Sequence, residues 1–272
     1  MKKIFTLVML AAMAISVNAQ DEKFAIEEGQ EVSDGQTLEA NSRKNATSVA
    51  ITFGADGKWA AAKAEGSLSE FTAYISGGNN PKDGELNGTS SAGAGYSITG
   101  KNLPKSGCYY TFKPTKDGSL KIGIMLNGNK SFYVVKEDGT AISDFDIKDK
   151  EGTTVALRVF EQDASTFASA AEKVYGYVTF NVEKEKTYYV FCTGSKLGLY
   201  GFIFNETAAT IDPATTAAIK AEIDAAASGE TAIETVKAAD AENAVIYNLA
   251  GQKVDNSFKG VVIKNGKKMI QK

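Results

Sequence analysis

Turn-forming dipeptides divide most of this chain into short segments, and they restrict its fold more than any other feature of the sequence. Asp-Gly or Asn-Gly pairs begin at Asp34, Asp56, Asp83, Asn87, Asp117, Asn127, Asp138 and Asn265. Between them lie runs such as SVAITF, CYYTF, LKIGIML and TYYVF, rich in the β-branched and aromatic residues that favour strands. Because these dipeptides favour tight hairpin turns, the pattern predicts an all-β protein, a β-sandwich of jelly-roll type.

The strand-like runs fill residues 46–206, which we predict to be the sandwich domain. An N-terminal extension, residues 20–45, precedes it. A helical linker, residues 207–240, and a small β-rich tail, residues 241–272, follow it.

The linker carries the signals of one short helix. Asp212 is a suitable N-cap, and Pro213 is favoured at the first helical position. Ile219 and Ile223 are the only large apolar residues in the alanine-rich stretch that follows. We therefore predict a helix that buries little surface.

The first residues have the three parts of an export signal. Lys2 and Lys3 precede an apolar run at residues 4–17, and small residues follow it. This order predicts a signal peptide, residues 1–19, cleaved before Gln20. An uncleaved N-terminal anchor is the alternative.

The last residues, AVIYNLAGQKVDNSFKGVVIKNGKKMIQK (Ala244–Lys272), run from an apolar strand through G-Q-K-V and a spacer to K-G-V-V-I and a lysine-rich strand. This order resembles the C-terminal sorting segments of proteins secreted by the type IX system of Bacteroidota. The resemblance implies a protein at the outer-membrane surface or outside the cell, with the type IX secretion machinery as a partner.

Composition excludes several classes of function. The chain contains no histidine, so it has neither a Ser-His-Asp nor a Cys-His catalytic group and no His-ligated metal. No phosphate-binding loop or dinucleotide fingerprint occurs, and we predict no cofactor. The formal net charge of −3 argues against nucleic acid as a partner.

Carboxylate or lysine chemistry is what remains for an enzyme. A glycosidase needs two carboxylates about 5–10 Å apart, and Glu161, Asp163 and Glu206 are the acids least obviously placed in solvated turns. Arg158 would attract attention in a polysaccharide lyase, although it fits an outward position on an alternating strand. We predict a non-enzymatic protein, with a small polysaccharide-active enzyme as the weaker alternative.

The strand region supplies a second resemblance. GCYYTFKPTKDGSLKIGI and KTYYVFCTGSKLGLYGFIF, within residues 51–204, are similar to the β-sandwich modules attached to secreted polysaccharide-degrading enzymes of Bacteroidota. Such modules are commonly assigned to carbohydrate binding. The resemblance therefore implies an extracellular glycan or another surface ligand as the partner, and a structural or adhesive surface protein is the alternative.

A glycan site needs aromatic rings for sugar faces and polar groups for hydroxyls. The glycine- and asparagine-rich stretch at residues 76–95 is a loop that offers both. The candidate ligand-binding residues at this loop are Trp59, Tyr74, Asn79, Asn80 and Tyr96. A lone tryptophan beside strands is also typical of a core, and we assign to packing Tyr109, Tyr188, Phe191, Tyr200 and Phe202.

The two cysteines and an acidic run each allow a structural and a functional interpretation. Cys108 and Cys192 lie in strand-like runs of a predicted exported protein, so a disulfide between them is possible; two separate buried thiols are the alternative. An acidic run offers oxygen ligands for calcium at Asp144, Asp146, Asp149 and Glu151, but it lacks EF-hand spacing. We predict a solvated loop there and no metal site.

Overall fold

The computed structural model describes residues 21–41, 47–83, 101–127, 132–153, 173–192, 197–228, 246–248, 253–254, 259–264 and 267–271. Its sandwich strands are β1 (Glu22–Ala25), β2 (Thr37–Leu38), β3 (Val49–Phe53), β4 (Lys63–Ala64), β5 (Ala73–Ser76), β6 (Tyr109–Pro114), β7 (Gly118–Leu126), β8 (Phe132–Lys136), β9 (Phe145–Asp149), β10 (Val174–Val182), β11 (Tyr188–Cys192) and β12 (Gly198–Asn205). The helix is α1 (Pro213–Ser228), and the tail contains β13 (Ile246–Asn248), β14 (Lys253–Val254), β15 (Gly260–Lys264) and β16 (Lys267–Gln271). The predicted all-β class is confirmed.

Two antiparallel sheets form the sandwich. The seven-stranded sheet has the order β4-β5-β12-β7-β10-β9, with β1 also paired to β12, and the five-stranded sheet has the order β2-β3-β6-β11-β8. Successive strands from β6 to β9 alternate between the two sheets, as do those from β10 to β12. Such crossovers between sheets belong to jelly-roll architecture.

Alternate side chains of both sheets meet in one core. The Phe112 ring of the five-stranded sheet lies 5.7 Å from that of Phe202 across the interface. The rings of Phe180 and Tyr188 likewise lie 5.6 Å apart. All four side chains are buried. These edge and tilted contacts close the space between the sheets.

The predicted N-terminal extension is part of the sandwich. β1 pairs with β12 over four residues, and β2 pairs with β3. The Glu22 carboxylate accepts hydrogen bonds from the backbone N–H and the hydroxyl of Ser48. The domain therefore begins at the first described strand rather than at residue 46.

The helix α1 begins as predicted but buries more than predicted. The Asp212 carboxylate accepts a hydrogen bond from Ala214 N at 3.0 Å, which satisfies one N–H of the first turn. Ile219 is only 5% exposed and belongs to the main core, and the helix packs on β9, an edge strand. The buried side of the helix is formed by Ile219 and the half-buried Thr215, Thr216 and Ile223, so the first half of the predicted linker covers an edge of the sandwich.

The tail is β-rich, as predicted. Its strands form a sheet of the order β14-β13-β15-β16, and the register pairs Lys264 with Lys267 across the predicted Asn-Gly turn. Within the described residues these four strands pair only with one another. The predicted signal peptide lies outside the described residues. No helix in the described part of the chain has the length and apolarity needed to span a bilayer.

Candidate ligand-binding surfaces

Trp59 serves mainly as packing at one rim of the sandwich. Its indole N–H donates to the carbonyl oxygen of Gly54 at 3.1 Å. The ring lies 5.5 Å from both Phe53 and Tyr110, which belong to the core, and the backbone of Gly57 lies against it on the outside. The side chain is half-buried, so only part of its surface could meet a ligand.

Tyr74 is not available to a ligand. Its side chain is 1% exposed, its hydroxyl donates to Glu65 Oε2 at 3.1 Å, and its ring lies 5.1 Å from that of Tyr200. Strand alternation places Tyr74 on the outer side of the seven-stranded sheet, but a loop covers it there. The expected contact between Tyr74 and a sugar is therefore contradicted by burial.

The asparagines lie beside Trp59. Asn79 is 3% exposed, and its side-chain N–H donates to the Asp56 carbonyl oxygen at 2.8 Å. Its backbone N–H bonds to the Gly57 carbonyl oxygen, and Asn80 is half-buried next to it. The structure thus brings Trp59, Asn79 and Asn80 to one rim; Tyr96 lies outside the described residues.

The two cysteines are buried thiols rather than a disulfide in this structure. Cys108 Sγ accepts a hydrogen bond from Gly77 N at 3.2 Å and lies 3.4 Å from the carbonyl oxygen of Leu197. Both thiols belong to the main core. They match the second of the two alternatives that the sequence left open.

The acidic run does not converge on one point. Asp149 Oδ1 accepts backbone N–H bonds from Glu151 at 3.0 Å and Thr153 at 2.8 Å, and Asp144 accepts one from the Thr216 hydroxyl. Among the described residues, no group of three or more acids or cysteines is arranged to hold a metal ion. A hydrogen-bonded turn accounts for Asp149, and Asp144 contacts the first turn of helix α1.

The acids considered for an enzyme are not brought together either. Glu206 is exposed and pairs with Lys116. Glu161, Asp163 and Arg158 lie outside the described residues.

A row of side chains crosses the outer face of the five-stranded sheet. Tyr189 of β11 is opposite Thr111 of β6, Thr111 is opposite Thr52 of β3, and Thr52 is opposite Thr37 of β2. Directly opposed residues of an antiparallel sheet point to the same face, with Cβ atoms about 4.5–5.5 Å apart. Thr37 is exposed and the other three are half-buried, and the Thr37 and Thr52 hydroxyl oxygens lie 2.8 Å apart.

Tyr109 extends this row into an aromatic platform. Its ring stacks on that of Tyr189, with centroids 5.9 Å apart and planes 24° apart, and both rings are half-buried. A Cβ atom at Gly54 would lie 2.5 Å from the Tyr109 ring, so only glycine lets the ring lie flat across the end of β3. We call Tyr109, Tyr189, Thr111, Thr52 and Thr37 the tyrosine–threonine face.

Neither platform tyrosine ionises at ordinary pH. Partial burial, and then the neighbouring Tyr189, raises the pKa of Tyr109. Partial burial, and then Glu137, raises the pKa of Tyr189. The face therefore offers neutral rings and neutral hydroxyl groups, which both donate and accept hydrogen bonds.

The outer face of the seven-stranded sheet is covered instead. Residues 65–72, which we call the covering loop, lie over β7, β10 and β12. Leu68 and Phe71 of this loop form a second apolar cluster with Tyr74, Met125, Tyr177 and Tyr200 from the sheet. The Tyr200 hydroxyl donates to the carbonyl oxygens of Glu65 and Gly66.

Glu65 is the main anchor of the covering loop. Its carboxylate accepts hydrogen bonds from Tyr74 at 3.1 Å and Tyr175 at 2.6 Å, and it forms ion pairs with Lys63 and Lys173. The hydrogen bond from Lys173, followed by those from Lys63 and Tyr175, holds the pKa of Glu65 well below its usual range. The loop is thus fixed by an ionised group.

Glu70 is the second anchor. It accepts hydrogen bonds from Ser69 and Tyr177, and it pairs with Lys121 at 2.9 Å. Burial disfavours its charge, but the bonds from Ser69, Tyr177 and Lys121 outweigh this and lower its pKa to about 2. The Lys121 ammonium also lies 4.1 Å from the centre of the Tyr177 ring.

A cleft of about 290 Å³ opens between the covering loop and the turn after β9. Ser69, Tyr177, Lys121 and Thr179 line one part of it, and residues 148–152 line the other. It is separate from both the rim at Trp59 and the tyrosine–threonine face.

Both platform tyrosines were missed by the sequence prediction, which assigned Tyr109 to packing. The signal was present in the doublets Tyr109-Tyr110 and Tyr188-Tyr189. Because successive strand residues point to opposite faces, one member of each doublet must face outward. Tyr110 and Tyr188 are each 1% exposed and fill the core, so Tyr109 and Tyr189 take the outer face.

No protein-family model matches the chain, and the search of curated proteins finds no match either.

Proposed function

We propose that this is an exported protein that binds an extracellular glycan through the tyrosine–threonine face. The observation that carries the proposal is the stacked, half-exposed pair Tyr109–Tyr189, from which a row of threonine hydroxyls continues across the sheet. Sugar rings have apolar faces that pack on aromatic rings, and their hydroxyl groups pair with neutral donors and acceptors.

The charge of this face favours a neutral glycan. All five side chains of the face are uncharged, and partial burial keeps the two phenols protonated. A charged polymer would lose water at its ionic groups here and gain no opposite charge from these five residues. A neutral polysaccharide meets no such cost.

The test is a glycan-array screen of the exported chain, residues 20–272, followed by titration calorimetry with the best ligand. We expect a neutral polysaccharide to bind, and Tyr189→Ala to weaken it at least about tenfold, since central aromatic side chains contribute most to binding. Thr52→Val keeps the shape but removes a hydroxyl, and should weaken binding by about three- to tenfold.

Lys220→Gln, at an exposed lysine of helix α1 outside both surfaces, is the matched control and should bind normally. Binding that survives Tyr189→Ala would place the site elsewhere on the molecule. Absence of binding to every glycan would reject the proposal and favour the structural or adhesive alternative.

We propose further that the two ends of the chain direct its export, the first by a cleaved signal and the last through the type IX secretion machinery. Two features support this: the sequence order of residues 244–272, and the pairing of the described tail strands with one another rather than with the sandwich. Deleting residues 241–272 should leave a folded protein in the periplasm. Normal export of the truncated chain, or its failure to fold, would contradict a sorting role.

A further inference from the structure

We propose that the cleft on the seven-stranded sheet is a second binding site, for a saccharide unit that carries a carboxylate or sulfate group. The tyrosine–threonine face cannot supply this recognition, because its side chains are uncharged. The two sites also lie on the outer sides of different sheets.

Cross-strand register builds the floor of the cleft. Lys121 of β7 is opposite Thr179 of β10, and Tyr177 is opposite Lys148 of β9. These four residues alternate with core residues, so they share the outer face and present two ammonium groups, a hydroxyl and an aromatic ring to one space. Lys150, in the turn after β9, adds a third ammonium group to the lining.

The carboxylates around the cleft are already engaged. Asp149 accepts two backbone N–H bonds, and Glu151 pairs with Lys150 at 3.4 Å. Glu70 is held by Ser69, Tyr177 and Lys121. Lys148 forms an ion pair with Asp146 at 3.7 Å, which is longer than a hydrogen bond, and its side chain is 48% exposed. An anionic group would give this ammonium a charge-assisted hydrogen bond.

A buried hydrogen-bond acceptor, the Oδ1 atom of Asp146, lies next to the floor of the cleft. Asp146 is opposite Thr179 on the outer face, and its Oδ1 atom is buried without a hydrogen-bond partner among the described residues. Leaving such an atom unsatisfied costs about 1–3 kcal/mol. Asp146 itself does not line the cleft, so a sugar hydroxyl would meet the Thr179 hydroxyl, which does.

Size limits the ligand to one unit. The volume of about 290 Å³ is at the lower end of small-molecule sites, which span roughly 300–1,000 Å³. The Tyr177 hydroxyl bonds to Ser69 at 2.9 Å, so the covering loop closes one side of the cleft.

The experiment compares sodium glucuronate, glucose 6-sulfate and glucose as ligands of the chain 20–272 by NMR titration. Both anions should bind, and glucose should bind at least about tenfold more weakly. Added salt should lower the affinity for the two anions. Lys148→Gln should lower the affinity for both anions by about tenfold. Lys113 is an exposed lysine on the other sheet, and Lys113→Gln should leave the affinity unchanged.

The proposal is overturned if glucose binds as well as the anions, if no anion binds, or if Lys148→Gln leaves their affinity unchanged. Tyr189→Ala separates this site from the proposed glycan-binding face: it should leave glucuronate binding intact while weakening the neutral polysaccharide. Far-UV circular dichroism of each variant shows whether a loss of binding reflects a loss of folding.

Discussion

The two outer faces of this sandwich use tyrosine in opposite ways. On the seven-stranded sheet four tyrosine hydroxyls form hydrogen bonds with the covering loop: those of Tyr74, Tyr175, Tyr177 and Tyr200. Leu68 and Phe71 of the loop pack against the tyrosine rings. On the five-stranded sheet Tyr109 and Tyr189 stack on each other, the Tyr109 hydroxyl donates to the Lys105 carbonyl oxygen, and both rings remain half-exposed. Whether a strand tyrosine is buried or stays accessible therefore depends on what covers it, not on its place in the strand.

The largest expected difference between the faces is in stability. Phe71 of the covering loop is 1% exposed, so Phe71→Ala should lower the free energy of unfolding by about 3–4 kcal/mol, through lost burial and a cavity. Tyr189→Ala removes a half-exposed cross-strand contact and should cost about 1 kcal/mol. Urea denaturation of both variants gives the comparison. Equal losses of unfolding free energy would show that Tyr189 contributes as much to stability as the buried Phe71 does.

The second difference is a response to acid, which Glu65 and Glu70 of the covering loop should make stronger on the covered face. The pKa of Glu70 is about 2 in the folded protein against an ordinary 4.5, so the unfolded chain binds more protons between these values. Stability from this group is complete above about pH 4.5 and is lost as the pH falls towards 2. Because the side chain is 29% exposed, solvent screening limits the loss to about 1–2 kcal/mol.

Urea denaturation at pH 7 and pH 3 measures this loss. Glu70→Gln should reduce the pH dependence, whereas Glu185→Gln, which removes an exposed partner of Lys113 on the other sheet, should not. If Glu70→Gln unfolds with the same pH dependence as the natural chain, the covering loop does not depend on this carboxylate.

Short-range signals predicted the fold class and several local details. Asp212 and Pro213 begin the helix as expected, and the Asn265-Gly266 step separates two paired strands of the tail. Turn chemistry and capping act over a few residues, so a sequence can display them directly. The same signals do not tell which sheet the next strand joins: Asp117-Gly118 leads from β6 in one sheet to β7 in the other.

The candidate site was harder to predict because exposure depends on distant parts of the chain. Alternation correctly places Tyr74 on an outer face, but Tyr74 is buried because Glu65 and the rest of the covering loop fold back over it. Ile219 shows the opposite outcome. It lies in an alanine-rich helix with little apolar surface, yet it is buried because the helix packs on the edge strand β9. Both outcomes depend on tertiary contacts, which no local pattern encodes.

The side chains in the row from Tyr189 to Thr37 are regularly spaced, because each lies on the next strand of the sheet. Neighbouring strands of a sheet lie about 4.7–4.9 Å apart, so a linear polymer that lies across the strands meets one side chain of the row at each such step. A polymer whose repeat is close to that distance would present the same group to Thr111, Thr52 and Thr37 in turn. The face would then select its ligand by period as well as by chemistry, and a single sugar would gain only a fraction of what a chain of four gains.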